Sequence, residues 1–153
     1  MNFEENIKKN NILFPKATAP VGSYVATKIV GNLLFISGQI SIDEKGNLIK
    51  GKLGADLTIE DGYAAAKRCA LGIISHAKSA CKDDLTKIKS CVKLTGFVNS
   101  TSDFTDQPKV INGASELITL IFEEKGMHAR AAVSVNGLPL GVAVEIDAIF
   151  EII

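Results

Sequence analysis

Residues 128–153 read HARAAVSVNGLPLGVAVEIDAIFEII. Two runs of small and β-branched residues flank the turn-forming NGLPLG, which predicts strands over 129–135 and 142–151. Arg130 is the only formally charged residue between Lys125 and Glu145. Side chains alternate faces along a strand. Alternation puts Ala131, Val133 and Val135 on one face of the first strand, and Arg130, Ala132 and Ser134 on the other. In the second strand Val144, Ile146, Ala148 and Phe150 form an apolar row opposite Glu145, Asp147 and Glu151. Placing each apolar row under the helices leaves Arg130 and Glu145 together on the opposite face, able to meet if the two strands adjoin.

Two meanings are open for that pair. A solvated salt bridge would contribute about 0–1 kcal/mol. A guanidinium among small residues could instead grip a carboxylate ligand, because its parallel N–H donors match a carboxylate bidentately. Ala129, Ala131 and Ala132 leave room beside it.

Outward from this stretch, helical and strand periods alternate. Thr58 predicts the N-cap of a long helix, with Asp61 as the acid of a capping box, and Tyr63, Ala66, Ala70, Ile73 and Ala77 as its apolar stripe. A second long helix starts at Pro108. It carries Val110, Ala114, Leu117, Ile118, Ile121 and Phe122 inward, with Gly126 as its C-cap glycine. Phe3 and Ile7 predict a short N-terminal helix. FPKATAPVGS is loop. Tyr24–Ile29 and Leu33–Ile40 predict a hairpin turning at Gly31–Asn32. IKSCVKLTGFV adds a strand, and NSTSDFTDQP a polar loop. The expected fold is α+β, a mixed sheet of four to six strands with two helices on one face. The uncovered face must be solvated or meet another subunit. A mean hydropathy of +0.21 favours an oligomer.

The 153 residues suit one domain, with 1–17 as an N-terminal extension. Zero net charge and the lack of a basic, aromatic-rich stripe argue against nucleic acid or an anionic membrane as partner. No apolar run is of membrane-spanning length and no signal core precedes the domain, so a cytoplasmic location is the default expectation. Cys69, Cys81 and Cys91 have neither disulfide nor zinc spacing and are expected to be reduced and structural. No metal or organic cofactor is expected.

The motifs resemble those of the Rid (YjgF-type) family of reactive enamine/imine deaminases. The resemblance rests on Arg130, Leu138–Pro139, Val144–Glu145–Ile146 and Ala148 near the C-terminus. Tyr24, Gly31–Asn32 and Ser37–Gly38–Gln39 carry it near the N-terminus, and it spans roughly residues 18–151. It implies a chorismate-mutase-like fold assembled as a homotrimeric barrel, with ligand pockets between subunits. It implies Arg130 and Glu145 as catalytic residues, the arginine gripping a small carboxylate and the glutamate holding the attacking water. Tyr24, Gly38, Asn112 and Ala132 would bind substrate. Ala132 stands where the best-known members carry a cysteine, and the 99–108 loop is longer than in short members, as in a longer branch of the family.

The implied reaction is hydrolysis of 2-enamino or 2-imino acids to 2-keto acids and ammonia. The alternatives are a non-catalytic trimer sensing small carboxylates and, less favoured, an endoribonuclease or translation inhibitor. Asn112 could merely cap the helix, Ser23 shape a turn, and His76 be structural. His128 shares the parity of Arg130. Lys87, Lys89 and Lys93 are expected on a solvated face.

Overall fold

The computed structural model describes residues 2–153. The helices are α1 (Phe3–Lys9), α2 (Ile59–Ala80) and α3 (Gln107–Phe122). The strands are β1 (Thr27–Val30), β2 (Leu33–Ile40), β3 (Ile88–Asn99), β4 (Ala129–Val135) and β5 (Val144–Ile152). They form one sheet in the order β1-β2-β5-β3-β4, with α2 and α3 over one face. The expected mixed α+β sheet is what forms.

Local chemistry starts and stops these elements where physics requires. Thr58 and Asp61 make the reciprocal capping box at the head of α2. Along α2, Ala66, Ala70, Ile73 and Ala77 are fully buried. Tyr63 departs from the expected stripe: it is only half-buried, and its hydroxyl donates to Glu116 on α3. Gly126 is not a left-handed C-cap. The helix ends at Phe122, Glu123 takes the positive φ of 54°, and Gly126 closes a 3-10 turn. Glycine is needed there for close approach, since a Cβ would lie 2.6 Å from the Ile118 carbonyl oxygen.

The core lies between the helices and one face of the sheet. Leu34, Ile36, Leu94, Val98, Val144, Ile146 and Phe150 project into it. Phe122 sits at its centre, edge-on to Phe150 at 6.0 Å and to Phe3 of α1 at 5.0 Å. All three cysteines are free and buried. No helix among the described residues is long and apolar enough to cross a membrane.

Two expectations about the last strands are overturned. β4 and β5 do not adjoin: β3 lies between them, antiparallel to β5 and parallel to β4. A β3–α3–β4 crossover forces the parallel pairing. The face of β4 is also reversed. Arg130 is paired in register with Leu94, which is fully buried under the helices. Arg130, Ala132 and Ser134 therefore look toward α3, while Val133 is exposed on the open face. Hydrophobicity favours burying the valine row, but the other row is also small and costs little to turn inward. Polar groups on α3, which accept from Arg130, decide the orientation.

Candidate functional site

Arg130 is held by the beginning of α3. Asn112 and Ser115 stand three residues apart on that helix and so share a face. One terminal nitrogen of the guanidinium, Nη1, donates to Asn112 Oδ1 at 2.8 Å and to Ser115 Oγ at 3.1 Å. The other, Nη2, makes a long 3.4 Å bond to the Pro108 carbonyl. Asn112 therefore acts as an acceptor for the arginine rather than as a helix cap. All three acceptors are neutral, and the ion pairs among the described residues lie elsewhere, Lys89 with Glu151 and Lys109 with Asp106. Both Nη1 hydrogens are used. Among the described residues the Nε–H and one Nη2 hydrogen have no acceptor, and a side-on Nε/Nη2 pair is the geometry that fits a carboxylate.

Glu145 belongs to a different place. It lies on the open face of β5, paired with Ile40 of β2 and Phe97 of β3. The register between β2 and β5 shifts between Ile36 and Gln39. This bulge turns Ser37 and Gly38 toward the open face, beside the Glu145 carboxylate. A Cβ on Gly38 would stand 2.8 Å from Glu145 Oε1, so only glycine lets the carboxylate lie there undisturbed. Tyr24, Lys28, Phe35, Gly38, Glu145 and Asp147 line a cleft of about 740 Å³.

Burial first, and the neighbouring Asp147 second, push the Glu145 carboxyl above the ordinary value. Asp147 is raised by burial as well, though the Thr95 hydroxyl and Lys93 oppose the rise. Two half-buried acids two residues apart hold a proton more tightly than free carboxyls do.

Tyr24 enters the cleft from the chain preceding β1, which starts only at Thr27. The expected strand over Tyr24–Ile29 is thus shortened at its N-terminal end. Ala132 packs against the core on the same side of β4 as Arg130. Ser23 is exposed in the bend before β1, and His76 is buried on α2, where burial lowers its pKa. Of the basic row, Lys89 pairs with Glu151 at 2.7 Å and Lys87 donates to the Cys81 carbonyl.

The expected site residues thus form two groups in one chain. Arg130, Asn112 and Ala132 sit under α3, and Tyr24, Gly38 and Glu145 sit on the open face. Arg130 is level with Leu94 and Glu145 with Phe97, across two strand spacings. Their Cα atoms are about 14 Å apart by strand geometry, with side chains on opposite faces. Sequence reasoning missed Ser115. Its spacing of three from Asn112 was the available signal.

The YjgF family model, described as "YjgF/chorismate_mutase-like, putative endoribonuclease", matches residues 4–150. The chain belongs to this family. Protein TCP17 of Trypanosoma cruzi is 46% identical over 148 residues, covering 96% of this chain and 92% of that one. A crystal structure of a protein of unknown function from Agrobacterium tumefaciens superposes with a TM-score of 0.91 at 41% identity, covering 99% of this chain and 92% of that one. The rat 2-iminobutanoate/2-iminopropanoate deaminase is 30% identical over 135 residues, covering 88% of this chain and 83% of that protein. The chorismate-mutase-like fold expected of this YjgF-type chain is therefore the one it has.

Proposed function

We propose that the protein hydrolyses 2-imino acids and their 2-enamino tautomers to 2-keto acids and ammonia, in a pocket built by two subunits of a homotrimer. The observation carrying this reading is the division of the site residues into two incomplete halves. In a 2-imino acid the carboxylate carbon is bonded directly to the imine carbon. A separation of about 14 Å across a sheet is too great for one such molecule to touch Arg130 and Glu145 of the same chain. The β4 side of one subunit meeting the open-face cleft of another would bring them together. An apolar open face with Phe35 and Val133 exposed supports such an assembly.

In that pocket Arg130 clamps the substrate carboxylate through its side-on edge. Tyr24 and Phe35 wall the cleft. Glu145 holds a water against the imine carbon and accepts its proton as the C–O bond forms. As that bond forms, the C=N π pair of the protonated imine moves to nitrogen and leaves a carbinolamine. Glu145 then returns the proton to the amine nitrogen; the C–N bond breaks as the hydroxyl oxygen closes the C=O, ammonia leaves, and the hydroxyl proton passes back to Glu145. The raised Glu145 carboxyl supports this proton-holding role. Because imines already hydrolyse in water, positioning supplies most of the acceleration required. The name of the rat relative supports this substrate class.

The test is ammonia release from freshly generated 2-iminobutanoate. Wild type is expected to accelerate it, while Arg130→Ala and Glu145→Gln return it to the buffer rate. Saturable binding of 2-oxobutanoate without acceleration would replace the enzyme by a carboxylate sensor. RNA cleavage by the purified protein, lost in the same variants, would favour the endoribonuclease in the family's description.

A further inference from the structure

We infer that Ser115 and His128 are positioning residues for Arg130, locking one side of the guanidinium so that its opposite edge stays free for a carboxylate. The inference rests on Arg130 being the carboxylate clamp. His128 Nδ1 lies 2.6 Å from the Gly126 carbonyl oxygen, and Nε2 lies 2.9 Å from Ser115 Oγ. A carbonyl only accepts, so Nδ1 carries the hydrogen. In the neutral imidazole Nε2 must then accept, and the single Ser115 hydroxyl proton goes to it. The Ser115 oxygen is left with its lone pairs toward Arg130 Nη1, which donates to it at 3.1 Å.

Every hydrogen in this chain has one direction, from guanidinium to serine to histidine to carbonyl. Its far end is anchored, because Gly126 packs so closely on α3 that a Cβ would meet the Ile118 carbonyl oxygen at 2.6 Å. The chain ties the turn after α3, the helix itself and β4 into one unit around the arginine. Asn112 alone offers Nη1 a single acceptor and fixes one point of the fork. Ser115 supplies the second acceptor on Nη1 and, with the long Nη2 bond to the Pro108 carbonyl, fixes the orientation of the fork. Neither residue reaches the side-on Nε/Nη2 edge, so both act through Arg130.

Titration with 2-oxobutanoate by calorimetry tests this. Ser115→Ala and His128→Phe are expected to weaken binding by about 3- to 10-fold, the loss of one supporting hydrogen bond. Ser115→Thr and His128→Gln, which keep a hydroxyl and an acceptor, are expected to stay near wild type. In ammonia release the first pair raises KM while kcat changes little. Nitrogen NMR of wild-type His128 reports the Nδ1–H tautomer. An Nε2–H tautomer, or unaltered binding in folded Ser115→Ala and His128→Phe, overturns the inference and leaves the proposed reaction standing. Binding that depends on Ser115 in a protein releasing no ammonia upholds the inference and removes the reaction. A wild type that binds no 2-oxobutanoate overturns the inference together with the clamp.

Discussion

Replacing Gly38 by alanine perturbs the proposed site at one atom. The added Cβ would stand 2.8 Å from Glu145 Oε1, 3.0 Å from Cδ and 3.1 Å from Cγ. Carbon atoms rest at about 3.5 Å or more, so the carboxylate must retreat by roughly half an ångström. The Glu145 backbone is paired on both sides, to Ile40 and Phe97, and resists moving. The displacement therefore falls on the side-chain torsions. A torsion about 30° off its well costs about 1 kcal/mol, which lowers the melting temperature by only about 2–4 °C. Catalysis is more sensitive, because a misplacement approaching 1 Å costs up to about 100-fold. In steady-state ammonia release from 2-iminobutanoate, kcat is expected to fall about 10- to 100-fold. KM should hold, since Arg130 is untouched. A variant with kcat within about twofold of wild type, or one impaired only in KM, would refute the placement of Glu145 at the reacting carbon.

Other substitutions probe separate parts of the structure. Arg130→Lys keeps the charge but loses the planar fork, and 2-oxobutanoate binding measured by calorimetry should weaken about 10- to 100-fold. Glu145→Gln tests the raised carboxyl: the fold binds that proton more tightly than the unfolded chain does. Its contribution is present below the ordinary value and lost as pH rises through the folded value. The glutamine variant should therefore melt like wild type near pH 4 and up to about 2–4 °C higher near pH 8, a gain under about 1 kcal/mol after solvent screening. Phe122→Ala removes a fully buried ring that meets Phe3 and Phe150 edge-on and should cost about 3–5 kcal/mol in urea unfolding, whereas a loss under about 1 kcal/mol would contradict its central position.

The elements with strong periods were legible. The capping box of α2, the inward row of α3 and the alternation of β5 each point one way, because burying their apolar rows leaves no competing choice. β4 was not legible in the same way. Both its valines lie on the face opposite Arg130, so hydrophobicity assigned the charged residue outward. What turned Arg130 inward is a set of neutral acceptors on α3, which only the β3–α3–β4 crossover brings alongside. The pairing of β5 with β3 rather than β4 is likewise a long-range choice with no local signature. The separation of Arg130 from Glu145 followed from these two facts. Tyr24 fell outside the strand because pairing with β2 begins only at Thr27.

Mixing two inactive proteins addresses the divided site most directly. Arg130→Ala retains the Glu145 half, and Glu145→Gln retains the Arg130 half. Unfolded and refolded together in equal amounts, random assortment gives about a quarter of the sites both intact halves when each site draws on two subunits. Ammonia release recovering to about one quarter of the wild-type rate is the predicted result. A mixture as inactive as either parent, in demonstrably mixed oligomers, would contradict a site shared between chains.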